Sequence, residues 1–148
     1  LLAGKNMRLV SAESCTGGLI SALLTEIPGS SDVFTHGFIT YANAAKTGMV
    51  GVDASLIKTH GAVSEPVAIA MAEGARLAAE ADISIAVTGI AGPGGATASK
   101  PVGLVHLASA RKGFSTLHAR HVFSGNRAEV RLQAVSAALD LLQRQFCR

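Results

Sequence analysis

Ser14 and Cys15 stand side by side in the stretch SAESCTGGLI, residues 11–20, just before a Gly-Gly pair and an apolar run. Either is a nucleophile once its proton is removed, so the chemistry depends on the turn that presents them. MRLVSAE (7–13) reads as a short buried strand. GGLISALLTEI reads as the helix after it, with Leu19, Ile20, Leu23, Leu24 and Ile27 on one face. The two residues therefore fall on a strand-to-helix turn, where backbone N–H groups lack helical partners and the positive helix end favours an anion. That anion is either a phosphate or a developing oxyanion, received beside Thr16 with Gly17 and Gly18 allowing close approach to the backbone. The stretch is not the G-x-S-x-G elbow, and a Ser/Thr N-cap before a buried helix explains it equally well by itself.

A base for such a nucleophile is offered by YANAAK, residues 41–46. If Asn43 caps a short helix, Lys46 is its third residue, where a cation opposes the macrodipole. That field lowers the lysine pKa, as desolvation would, and a neutral amine is what a Ser–Lys pair needs. A solvated surface lysine is the plainer alternative. SGNRAEVR (124–131) repeats the anomaly: Arg127 and Arg131 lie in and just after the first turn of the last helix, on one face. Asn126 is its expected cap, and Glu129 resembles the acidic half of a capping box. An anion between the arginines would explain them, or ion pairs with surface carboxylates, for which Arg131 is the stronger candidate. TGIAGPGG (88–95) follows a strand but lacks G-K-[ST] and precedes another strand, which rejects both the Walker A loop and the Rossmann fingerprint. It leaves a Gly-rich wall with Thr88 and Gly89 at the end of a central strand, where open α/β sheets bind ligands.

The elements that must position these residues follow from periodicity. VFTHGFITYA is a second strand, and AAKTGMVG and DASLIKTH are short helices, the latter closing on Gly61. Ser64 starts a long Ala-rich helix with Pro66 in its first turn. DISIAVT (82–88) is a strand buried on both faces, and VGLVHLASA and FSTLHARHVF form a hairpin around Arg111, Lys112 and Gly113. The order β-α-β-α-α-α-β-β-β-α predicts a three-layer α/β/α sandwich whose mixed sheet includes an antiparallel hairpin. With 148 residues, 49% of them apolar and 16% charged, one domain over 1–148 has enough apolar material for its own core. LLAGKN at the start reads as the last turn of a helix stopped by Gly4 and cut short.

Composition also narrows the partners. No apolar run is long enough for a membrane span. The net charge of +3 is scattered, and Tyr41 and five Phe are the only aromatics, which argues against nucleic acid and for a modest anionic ligand. Cys15 and Cys147 suggest no disulfide framework, so a reduced cytoplasm is the expected compartment. His118 and His121, three apart on a strand, point to opposite faces, while His36, His60 and His106 are isolated in sequence; no metal site is expected.

Together AESCTGG, GFITYANAAK, GAVSEP, TGIAGPGG…KPVG and FSGNRAEVR resemble, in order and over essentially the whole chain, one family. It is the carboxy-terminal domain of the competence/damage-inducible protein CinA, whose stand-alone members are nicotinamide mononucleotide amidohydrolases. The resemblance implies hydrolysis of the nicotinamide carboxamide to nicotinate mononucleotide and ammonia within pyridine-nucleotide salvage, with no cofactor. It implies Ser14 as nucleophile, Lys46 as general base and Tyr41 as a hydrogen-bonding partner of Lys46 or the amide. Ser31, Thr88 and Arg127 match positions that line the family's pocket, with Thr16, Gly17 and Gly89 beside them. One departure is SGNR where the family more usually has S-G-D-R, which keeps a helix cap but removes a negative charge. Two rivals stay open at this stage: Cys15 as nucleophile, and a non-catalytic nucleotide-binding module linked to competence or DNA damage. Oligomeric state is also open, a homo-oligomer included.

Overall fold

Leu9–Glu13 (β1) is buried along its whole length because both of its faces are covered. Its alternation sends Leu9 into one apolar cluster and Val10 and Ala12 into another, on opposite sides of the sheet. In the computed structural model, which describes residues 1–148, five strands form one sheet ordered β2-β1-β3-β4-β5. The others are β2 (Phe34–Ile39), β3 (Ile83–Gly89), β4 (Leu104–Ser109) and β5 (Leu117–Val122). β1 runs parallel to both β2 and β3, while β4 and β5 form the expected antiparallel hairpin on β3.

The helices are α1 (Leu19–Thr25), α2 (Asn43–Val50), α3 (Ala54–His60), α4 (Glu65–Ala78) and α5 (Arg127–Phe146). Ile20 of α1 and Val130, Ala134, Ala138 and Leu141 of α5 pack on Ile83, Ile85 and Val87 of β3. On the other face, Val67, Ala68, Met71, Ala72 and Ala75 of α4 meet Val10, Ala12, Ala86 and Ala108. The result is the three-layer α/β/α sandwich read from the sequence. Right-handed crossovers explain the split: β1-α1-β2 and β2-α2-α3-α4-β3 leave in opposite directions along the sheet, so their helices fall on opposite faces. The chain leaves β1 for one face and its neighbour β2 for the other, which makes the carboxyl ends of β1 and β2 a topological switch point.

Local details depart from the sequence reading in three places. Of the five apolar residues expected to face inward from α1, only Ile20 is buried, while Leu23 and Ile27 are 43% and 60% exposed because α1 lies at the sheet's edge and ends at Thr25. Ala42, with extended backbone, is the N-cap of α2, and Asn43 is already helical, so Lys46 is the fourth helical residue. At the start of the chain Ala3–Lys5 is a single 3₁₀ turn that ends on left-handed Asn6 (φ 51) rather than on Gly4.

Gly74, in the middle of α4, lets α2 approach: a Cβ there would overlap the carbonyl oxygen of Val50 at the end of α2. Alanine in a helix interior ordinarily stabilises by about 0.5–1 kcal/mol over glycine. Here Gly74→Ala is expected to do the reverse, destabilising by about 1–3 kcal/mol through overpacking and lowering the melting temperature by several degrees. A thermal scan of the variant showing an unchanged or raised melting temperature would contradict this close packing.

Candidate active site

After Glu13 the chain makes a turn before α1, with Gly17 (φ +58) and Gly18 (φ +100) supplying the left-handed conformations. Ser14 N–H still donates to Val87 O at 2.9 Å, and Gly17 N–H closes the turn on Ser14 O at 3.0 Å. The strand's alternation turns Glu13 toward α1 and Ser14 toward α2. Glu13 is fully buried, and its carboxylate accepts from the N–H groups of Gly18 (3.1 Å), Ile20 (3.0 Å) and Ser21 (2.9 Å) and from Ser21 Oγ (2.7 Å). The α1 N-terminus expected to receive an external anion is thus occupied by the protein's own carboxylate.

Lys46 is only 1% exposed, and its Nζ lies 3.1 Å from Ser14 Oγ, 2.8 Å from Thr40 O and 3.4 Å from Tyr41 O. No carboxylate pairs with it; the sole ion-pair contact in the molecule joins His118 and Glu65. A neutral amine fits this cage. Its two N–H groups serve the two carbonyls, and its lone pair accepts the Ser14 hydroxyl proton. Burial, more than helix position, holds the amine below its ordinary pKa of 10.5.

The pair opens into a cleft of about 220 Å³ at the carboxyl ends of β1 and β3, lined also by Tyr41, Thr88, Gly89 and Arg127. Arg127 donates to Gly92 O at 2.9 Å and to the Tyr41 hydroxyl at 3.0 Å, so the exposed tyrosine and the arginine form one side of the mouth. Thr88 is turned away to Ala62 O at 2.9 Å, which ties the cleft's back wall together. Cys15 also borders the cleft, but its side chain packs in the core, and burial pushes its thiol up to about 11. A thiol that resists ionisation is a poor nucleophile at neutral pH, which favours Ser14. A larger, apolar groove of about 440 Å³ at the other end of β1 has no titratable side chain in its lining and offers no chemistry.

Other expected residues fall elsewhere. Ser31 is exposed in the 3₁₀ turn before β2, at the end of the strands opposite Ser14, a strand length of roughly 16 Å away. Thr16 is fully buried with its hydroxyl unpartnered, and Gly17 faces solvent; neither lines the cleft. Arg131 does not pair with a surface carboxylate: its Nε donates to Cys15 O (3.1 Å) and its Nη2 to Thr16 O (2.9 Å). The expected capping box of α5 is present, Asn126 accepting from Glu129 N–H and Glu129 from Asn126 N–H.

Sequence reasoning missed Glu13, although an acidic residue ending a buried strand was a visible signal. It also missed that the β4–β5 register brings His106 and His118 together, Nδ1 to Nε2 at 3.0 Å, with burial pushing His106 down to about 4. Residues two positions off register are diagonal neighbours on one face, a relation invisible along the chain.

The chain matches the family model "CinA C-terminal domain" over residues 1–146. It is 51% identical over 142 residues to a CinA-like protein of Anaeromyxobacter dehalogenans, covering 96% of this chain and 35% of that protein. A CinA-like protein of Mycobacterium avium is 50% identical over 152 residues, covering 97% and 34%. The chain therefore spans about a third of the length of these curated relatives. Among solved structures, competence/damage inducible protein CihA of Agrobacterium tumefaciens superposes with a TM-score of 0.94 at 47% identity, covering 97% of this chain and 87% of that one. A competence-damaged protein (CinA) superfamily protein of Escherichia coli gives 0.93 at 37% identity, covering 97% and 83%.

The cage around Lys46 makes a stability prediction. Between the lowered folded-state pKa and 10.5 the unfolded chain binds a proton at this lysine that the folded chain does not, so stability rises with pH there. Lys46→Met lacks this dependence. Whatever the offset at pH 7, the wild type should gain on the variant between pH 7 and 10, as read from paired melting curves. A difference independent of pH would mean the buried amine is charged when folded.

Proposed function

Because the chain belongs to the CinA C-terminal domain family, we propose that its Ser14–Lys46 pair hydrolyses the carboxamide of nicotinamide mononucleotide, giving nicotinate mononucleotide and ammonia in cytoplasmic pyridine-nucleotide salvage. The observation that carries this reading is a buried, carboxylate-free lysine amine 3.1 Å from the serine hydroxyl. Lys46 takes the Ser14 proton as Oγ attacks the carboxamide carbon. The resulting oxyanion is received by the N–H group of Cys15, which borders the cleft and donates to no other residue. Lys46 then returns the proton to the departing ammonia, leaving a nicotinoyl ester on Ser14. Water entering the vacated position gives its proton to the same amine, attacks the ester and releases the acid, restoring Ser14. The guanidinium of Arg127 at the cleft mouth supplies the positive charge that a mononucleotide needs.

Ammonia release from nicotinamide mononucleotide, with free nicotinamide and the dinucleotide as competitors, tests the reading. Ser14→Ala should fold normally and lose at least ~100-fold in turnover. Mononucleotide binding by the wild type without ammonia release would make the domain a binding module. Near-normal turnover in Ser14→Ala would return the chemistry to Cys15.

Arg127→Ala is expected to lower kcat/KM by about 10–100-fold while moving the melting temperature little, since it also relieves a cation at a positive helix end. Paired kinetics and thermal scans decide it. A sharp fall in melting temperature with activity spared would make Arg127 a structural strut between Gly92 and Tyr41.

A further inference from the structure

The turn from Ser14 to Gly18 is held at both poles of its peptide groups. On the amide side, the Glu13 carboxylate gathers the N–H groups of Gly18, Ile20 and Ser21. On the carbonyl side, Arg131 reaches in from α5 and places Nε on Cys15 O and Nη2 on Thr16 O. These are two adjacent N–H groups of one rigid fork on two consecutive carbonyls, a match that a lysine's single ammonium does not reproduce.

A planar trans peptide fixes what this does to the neighbouring amides. Thr16 C=O and Gly17 N–H belong to one peptide group and point in opposite directions, so anchoring that carbonyl on Arg131 sets the Gly17 N–H toward Ser14 O. Ser14 C=O is likewise held by Gly17 N–H, which turns the Cys15 N–H outward from the turn. The Cys15 N–H donates to no other residue, and Cys15 borders the cleft. The arginine's charge is also felt in the turn, since it opposes the burial that raises the Cys15 thiol.

We infer that Arg131 is a positioning residue for the Ser14 reaction, fixing the Cys15 amide, against the counter-anchor of Glu13, as a donor that receives the oxyanion. The inference rests on the amidohydrolase reading. It assigns Arg131 no contact with substrate: Arg127 meets the ligand, and Arg131, one turn further along α5, holds the turn whose Cys15 amide meets the transition state. An oxyanion donor is useful only if it is already in place when charge develops, so loosening the turn should affect the transition state and spare the ground state.

Three measurements on wild type, Arg131→Met and Arg131→Lys read this out. They are steady-state ammonia release, affinity for nicotinate mononucleotide as a ground-state ligand, and affinity for pyridine-3-boronic acid. The boronic acid is captured by Ser14 Oγ as a tetrahedral adduct carrying oxygen where the oxyanion forms. Arg131→Met should lower kcat by about 30–100-fold with KM within about threefold, lower boronate affinity in parallel, and leave nicotinate mononucleotide affinity within about threefold. Arg131→Lys should recover part of both losses. The inference is overturned if kcat stays within threefold of wild type, or if affinity for the product falls as far as affinity for the boronate. If Arg131→Met does not fold, Arg131→Lys carries the same comparison on its own. A wild type that captures boronate but releases no ammonia sinks the substrate assignment alone, and the boronate series then decides Arg131. A wild type that captures no boronate and releases no ammonia sinks both.

Discussion

An amine buried without a counter-charge is the constraint around which this molecule is arranged. An isolated ammonium out of water costs several kcal/mol, and burial shifts the lysine toward giving up its proton. Lys46 can do so without leaving unmet hydrogen bonds because Thr40 O and Tyr41 O face it and the Ser14 hydroxyl completes the set. Those carbonyls are free to serve it because the chain leaves β2 at Ile39 and has not yet entered α2 at Asn43. The close approach of α2 to α4 over Gly74 packs the helix that carries the lysine. The backbone, the packing and the protonation state are parts of one arrangement.

The complementary charge sits across the strand. Glu13 precedes Ser14 directly, yet the period-two alternation of β1 puts its carboxylate on the α1 side, where it completes a helix terminus instead of pairing with the lysine. Had the register of this strand slipped by one residue, carboxylate and amine would share a face and the lysine would be held protonated. The two faces of the strand thus keep the carboxylate away from the lysine within one short segment.

Much of this was legible in the sequence, for identifiable reasons. The strand-to-helix turn at Ser14, the cap and arginine at the start of α5 and the β4–β5 hairpin are local features, written in residues a few positions apart. The three-layer order followed from the succession of periodicities. What escaped was set by register and by long-range partners. Ser31 is separated from Ser14 by the length of the sheet, which no local spacing reveals. Arg131 read as a surface residue because its partners, the Cys15 and Thr16 carbonyls, are backbone groups more than a hundred residues away and carry no sequence signal. The occupied terminus of α1 escaped because a buried carboxylate that caps its own neighbour looks, in sequence, like any other acidic residue.

The substitution of Asn126 for the more usual aspartate shows how cap and charge separate. The cap's geometric work is done by an oxygen accepting the Glu129 N–H, which asparagine supplies as well as aspartate does. Its electrostatic work is different. An aspartate would set a full negative charge one residue from Arg127, while the remaining local carboxylate, Glu129, is engaged with the Asn126 N–H. With a neutral cap, Arg127 keeps its positive charge uncompensated by its own helix and directs it, through Gly92 O and the Tyr41 hydroxyl, across the cleft mouth. An arginine so placed meets a positive helix end with no local relief, and that electrostatic tension is what an anionic ligand would remove.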